Sequence, residues 1–293
     1  KLAMAENKEA VSTKKRPTLP RLKRTLRAHA RSAAPLLTLT VLIVFFSLAS
    51  EGGRFFTAIN LVNILQQAAA LAIMATGVTF VLLTAEIDLS IASMAMFAGV
   101  LASYLLVNAG VPGTLAFLIA FVVAIVLGLV NGVVTTRFRL PSFMTTLAMM
   151  QIANGLAIFI TKGRPFFEVP AIALALGSGR LGPIPVILIV AVIVLAVGHI
   201  VLTYTRFGRY VYMVGGNREA AELSGISTTK IRTLALMIGG ATAGLAGLIN
   251  TGRIGSAHAG GFEDMLLAAI SAVVLGGTSL FGGEGGIPNT IIG

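Results

Sequence analysis

Residues 184–204 read IPVILIVAVIVLAVGHIVLTY, an apolar run with no Asp, Glu, Lys or Arg. Its length matches the roughly 20 residues that an α-helix needs to cross a hydrocarbon core of about 30 Å. The apolar residues follow one another instead of alternating, so the run does not read as a strand of a membrane barrel. Comparable windows recur at residues 34–50, 59–84, 90–108, 114–134, 143–161, 231–251 and 265–281. Together the eight runs predict an all-α, polytopic helical membrane protein. Composition agrees: 56% of residues are hydrophobic, 11% are charged and the mean hydropathy is +0.92, which excludes an ordinary water-soluble domain. The absence of Cys rules out disulfides, Cys-ligated zinc and a thiol nucleophile, and His29, His199 and His258 are too scattered for a metal site. No metal, cofactor or catalytic residue is expected.

The net charge of +11 is concentrated at one end. Lys1, Lys8, Lys14, Lys15, Arg16, Arg21, Lys23, Arg24, Arg27 and Arg31 all precede the first apolar run. Residues 1–33 therefore read as a basic cytoplasmic tail, attracted to anionic lipid and not to nucleic acid, and residues 34–293 as the transmembrane domain. Residues 35–49 also fit the apolar core of a signal peptide, but the spans downstream favour an uncleaved first helix. With the tail inside, the loops carrying Arg137 and Arg139, then Arg206, Arg209, Arg218, Lys230 and Arg232, fall inside too. Those carrying Arg54, then Lys162, Arg164 and Arg180, then Arg253, fall outside. The excess of cations on the cytoplasmic side supports the orientation.

The loop at residues 205–230 contains Gly215-Gly216-Asn217-Arg218-Glu219-Ala220-Ala221-Glu222-Leu223-Ser224-Gly225. Asn217 is a favoured helix N-cap, Glu219 in the first turn complements the helix dipole, and Gly225 suits the left-handed position that ends a helix. Ala220, Ala221 and Gly225 carry almost no side chain and would let another protein's backbone approach. The segment reads as a short docking helix, or as an ordinary capped surface helix. No Gly-Lys dipeptide is present, so the phosphate-binding loop of an ATPase is missing and a motor would have to be a separate protein.

Two further patterns concern the spans. Gly128-x-x-x-Gly132 and Gly240-x-x-x-Gly244 stack glycines on one helix face, where helices approach closely in lipid. Glu86 and Asp88 interrupt two apolar runs, and acidic groups at membrane depth are costly enough to mark a substrate path. A break at the cytoplasmic interface would instead leave them solvated, with Asp88 as N-cap of the helix beginning near Ser90. Gln66, Asn131, Gln151 and Asn154 are uncharged candidates for lining a path that recognises hydroxyl groups, along with Gln67.

Four segments in order resemble the permease subunits of ribose-type bacterial ABC sugar importers. They are Thr79-Phe80-Val81-Leu82-Leu83-Thr84-Ala85-Glu86-Ile87-Asp88-Leu89-Ser90; Asn131-Gly132 leading to Thr136-Arg137-Phe138-Arg139-Leu140-Pro141-Ser142-Phe143; Thr205-Arg206-Phe207-Gly208-Arg209-Tyr210 running to Ser224-Gly225-Ile226; and Ala272-Val273-Val274-Leu275-Gly276-Gly277-Thr278-Ser279. The resemblance covers the chain from about residue 50 onward. It implies a multi-pass subunit of the bacterial inner membrane that imports a ribose-, xylose-, galactose- or inositol-like sugar. It is not itself an enzyme. It would pair with a second permease copy, a cytoplasmic ATP-binding subunit and an external sugar-binding protein. It also implies that Glu219, Ala220, Ala221 and Gly225 couple the ATPase to the spans. Such permeases have roughly ten spans, so about eight are expected before Gly293, a C-terminal truncation that predicts impaired assembly. A permease for branched-chain amino acids or nucleosides, or an ATP-independent secondary transporter, are the alternatives.

Overall fold

The computed structural model describes residues 37–260 and 262–293, so the basic tail assigned to residues 1–33 lies outside the described residues. Helix α1 (Leu37–Ala49) is followed by a 3-10 turn (Glu51–Phe56), α2 (Ala58–Leu83), α3 (Ile91–Val107), α4 (Gly113–Arg137) and α5 (Ser142–Thr161). A short α6 (Ala171–Gly177) and a two-stranded hairpin of β1 (Arg180–Leu181) and β2 (Ile184–Pro185) lead into α7 (Val186–Tyr204). Then come α8 (Arg206–Gly216), α9 (Arg218–Leu223), α10 (Thr228–Ile254), α11 (Glu263–Leu275) and α12 (Ile287–Ile292). Five of these helices are long and apolar enough to span a membrane: α2, α4, α5, α7 and α10. The other three predicted runs appear as shorter apolar helices, at Leu37–Ala49, Ile91–Val107 and Asp264–Leu275.

Helix α10 is the central post, packed against α2, α3, α4 and α6. Its seam with α4 is built from the two glycine motifs, which face each other. A Cβ added to Gly128 would lie 2.6 Å from the Leu236 carbonyl oxygen, and one added to Gly240 would lie 2.5 Å from that of Ala124. One turn on, Thr136 and Thr233 share a hydroxyl hydrogen bond of 3.0 Å. Apolar burial gives helices little reason to associate in lipid, so contacts this close supply the dispersion energy that holds them. On the outer walls, Val122 and Val126 of α4 and Val192 and Val197 of α7 are exposed, as side chains facing acyl chains should be.

Two features depart from the expectations. Residues 206–216, expected to lie in a loop, form α8, which Thr205 caps by accepting from the Gly208 amide at 3.1 Å. The last predicted run stops at Leu275 and not at residue 281, because Gly277 adopts φ +102°, a conformation that side chains resist. The glycine-rich stretch that follows turns back onto the fold, where the Gly283 amide donates to the Leu83 carbonyl at 3.0 Å and the Tyr212 hydroxyl to that of Gly285 at 2.9 Å. At the opposite end of the bundle, Phe166 and Ala257 form an isolated β-bridge between the loops after α5 and α10.

Candidate functional site

Helix α9 has the termini that its sequence predicts. Asn217 Oδ1 accepts from the Ala220 amide at 2.9 Å, and Glu219 lies in the first turn. At the other end the Ile226 amide reaches the Ala221 carbonyl at 3.0 Å, the Gly225 amide reaches that of Glu222 at 2.9 Å, and Gly225 takes φ +78°. These two bonds form a Schellman motif. A further tie comes from the Thr228 hydroxyl, which donates to Glu222 Oε1 at 2.6 Å.

The faces of α9 differ from the expectation at one position. Glu219, Ala220 and Gly225 are exposed, whereas Ala221 is only 1% exposed and packs in a cluster with Phe80, Leu83, Val211, Val214 and Ile231. Ala221 therefore seats the helix on its own membrane domain and offers no free surface. Its neighbour Leu223, which the sequence reading passed over, is 91% exposed. Alongside, a cleft of about 360 Å³ is lined by Tyr210, Met213, Ser224, Gly225, Lys230 and Ile231, among others.

The acidic connection between α2 and α3 lies at this same end, but it is not solvated. Glu86 and Asp88 are 3% and 4% exposed. Glu86 Oε1 accepts from Arg218 Nη2 at 2.9 Å and from Arg232 Nε, and these are the ion pairs found among the described residues. Asp88 is not the N-cap of α3, a position held by Ser90. Instead Asp88 Oδ1 accepts from the Ser90 amide at 2.8 Å and the Ser90 hydroxyl at 2.6 Å, and Asn131 Nδ2 donates to that hydroxyl at 2.9 Å. Asp88 Oδ2 and Asn131 Oδ1 are buried with no hydrogen-bond partner. Burial pushes the Asp88 carboxyl up from its ordinary value, against the two Ser90 bonds that favour its charged form. The start of α5 supports the connection, with Ser142 accepting from the Ile87 amide at 3.0 Å and Thr146 from that of Leu89 at 3.1 Å.

A second cleft, of about 260 Å³, opens between α3, α5 and α11. It is lined by Ala92, Ser93, Met96, Met150, Gln151, Asn154, Phe262 and Leu266. Of the six path candidates, Gln151 and Asn154 meet here, while Glu86, Asp88 and Asn131 belong to the connection beneath α3. Gln66, half-buried on α2, lines neither. Ser93 joins the lining without having stood out in the sequence. Arg218 and Arg232, read there as charges of a cytoplasmic loop, are the partners of Glu86.

The chain is 40% identical to the ribose import permease protein of Escherichia coli K12 over 262 residues, which cover 88% of this chain and 81% of that protein. It is 38% identical to the ribose import permease protein of Bacillus subtilis, over 88% of this chain and 80% of the relative. The fructose import permease protein of Rhizobium meliloti is 34% identical, over 89% and 75% respectively. No solved structure matches. Residues 60–293 match the family described as the permease component of branched-chain amino acid transport systems, and the chain belongs to that family as a multi-pass membrane transport subunit.

Proposed function

We propose that the chain is the permease subunit of an ATP-driven importer for a monosaccharide of the ribose, fructose or xylose kind. The observation that carries the substrate class is the lining of the cleft between α3, α5 and α11. Gln151, Asn154 and Ser93 offer uncharged donors and acceptors among apolar walls, and no charged side chain lines it among the described residues. Sugar hydroxyls need that kind of partner. A free amino acid would bring an ammonium and a carboxylate, whose burial calls for countercharges. The names of the relatives, ribose and fructose permeases, support the same class.

Coupling falls to α9. Its exposed Glu219, Ala220 and Gly225, with Leu223 as an apolar anchor, form a rigid surface for a separate ATP-binding subunit, and Ala221 holds that surface on the spans. In this reading the subunit lies in the bacterial inner membrane with its N-terminus in the cytoplasm. It pairs with a second permease copy and receives substrate from an external binding protein. The test is uptake into vesicles holding the permease, its ATPase and a loaded binding protein. ATP-dependent uptake of a pentose or hexose is expected, and uptake of leucine in its place, or uptake that persists without ATP, refutes the proposal. Docking is tested by Leu223→Asp, which should weaken ATPase binding by at least about tenfold, as loss of a buried apolar anchor does.

A further inference from the structure

Arg218 is the first residue of α9, at the helix end where a cation is disfavoured and an acid preferred. Its side chain reaches Glu86, 132 residues earlier in the chain, and Arg232 of α10 reaches the same oxygen. Glu86 is itself fixed to the end of α2. Its amide donates to the Val81 carbonyl at 3.2 Å, and Ala85 before it is held at φ +58°. Three elements therefore meet on one buried carboxylate, and Ser93, seven positions after Glu86, lines the cleft.

From this geometry we infer that Glu86, Arg218 and Arg232 are positioning residues forming the joint through which movement of α9 reaches the cleft. The inference rests on α9 being the docking helix. Helix α9 has three direct anchorages on the spans, of which the Thr228–Glu222 bond ties its last turn to the start of α10. The apolar seat of Ala221 is non-directional and tolerates tilting. The Arg218–Glu86 bond is charge-assisted and directional, so a shift at the start of α9 pulls the α2–α3 connection with it. The arginines divide the work: Arg232, with a side chain 12% exposed, fixes the carboxylate to α10, and Arg218, 43% exposed, links it to the moving helix.

The experiment measures, on the full complex in nanodiscs, the factor by which loaded binding protein stimulates ATP hydrolysis. Glu86→Gln and Arg218→Gln should each lower that factor about fivefold or more, within the usual range of coupling between sites. The double variant should be no worse than the worse single, and Arg218→Lys should recover part of the loss. Wild-type stimulation in both single variants overturns the inference, as does a double variant whose losses multiply. A lowered unfolding temperature with full stimulation also overturns it, because the clasp would then be structural only. Titration of the ATPase subunit onto Glu86→Gln should match the parent, and lost affinity places Glu86 in docking and not in transmission. The docking assignment is judged separately: if Leu223→Asp binds the ATPase normally, that assignment fails whatever the Glu86 variants do.

Discussion

Replacing Gly240 by Ala adds one carbon to the seam between α4 and α10, and the structure leaves no place for it. The new Cβ would sit 2.5 Å from the Ala124 carbonyl oxygen and 2.9 Å from Gly128 Cα, where real Cβ contacts essentially never fall below 3.0 Å. Both neighbours are backbone, so no rotamer change relieves the clash and the helices must separate by at least about half an ångström, unpacking their neighbours as they go. Overpacking of this kind costs roughly 1–3 kcal/mol. At about 2–4 °C per kcal/mol, the unfolding temperature should fall by roughly 2–12 °C. The assay is thermal unfolding in detergent followed by circular dichroism. Gly155→Ala in α5 serves as control, because an added Cβ there meets nothing within 4 Å. That substitution should be neutral or raise stability by about 0.5–1 kcal/mol, since Ala is the better helix former. Gly128→Ala should behave like Gly240→Ala, and the pair should cost less than the sum, because the first separation makes room for the second carbon. If Gly240→Ala and Gly155→Ala unfold at the same temperature, the close seam does not hold the bundle together.

Asp88→Asn keeps the Oδ1 acceptor for Ser90 and removes a buried charge, so it should stabilise the protein at neutral pH, whereas Asp88→Ala should destabilise it by about 0.5–1.5 kcal/mol for each of the two Ser90 bonds that it loses. The raised pKa fixes the sign with pH: the contribution of Asp88 to stability is full below the unfolded value near 3.8 and is lost as pH rises through the folded value, so the advantage of Asn over Asp should grow across that window and then level off. Gln151→Ala and Asn154→Ala should each slow sugar uptake by about fivefold or more, the worth of one or two lost hydrogen bonds, and unchanged uptake in both would remove this cleft from the path.

The apolar runs, the caps of α9 and the glycine motifs are local patterns, and the sequence exposes local patterns well. Asn217 and Gly225 do their work within a few residues of themselves, so their roles were legible without a structure. The partner of each glycine motif was not legible, because a stripe of small residues shows where contact is possible and not which helix arrives. Helix α8 was hidden by Gly208, Gly215 and Gly216, which imitate loop punctuation. In the fold, Gly215 provides close approach to the end of α2, where an added Cβ would lie 2.9 Å from the Leu83 carbonyl carbon. The burial of Ala221 was not legible, because a helix of six residues is too short to reveal which face is buried. The Glu86 clasp spans 132 and 146 residues, a separation at which no spacing rule operates.

The central position of α10 also bears on how the protein is made. Its best membrane-length window has a mean hydropathy of only 1.5 and is 67% buried, while that of α7 reaches 3.0 and is 22% buried. On leaving the translocon alone, α10 would gain far less from lipid than α7 does, and its backbone-deep glycine contacts would be unfilled. Helices α2, α3 and α4 precede it in synthesis, so the groove that receives it is laid down before it arrives. The groove is thus finished when α10 emerges, and α11 and α12, which come later in the message, join a bundle that already has its post.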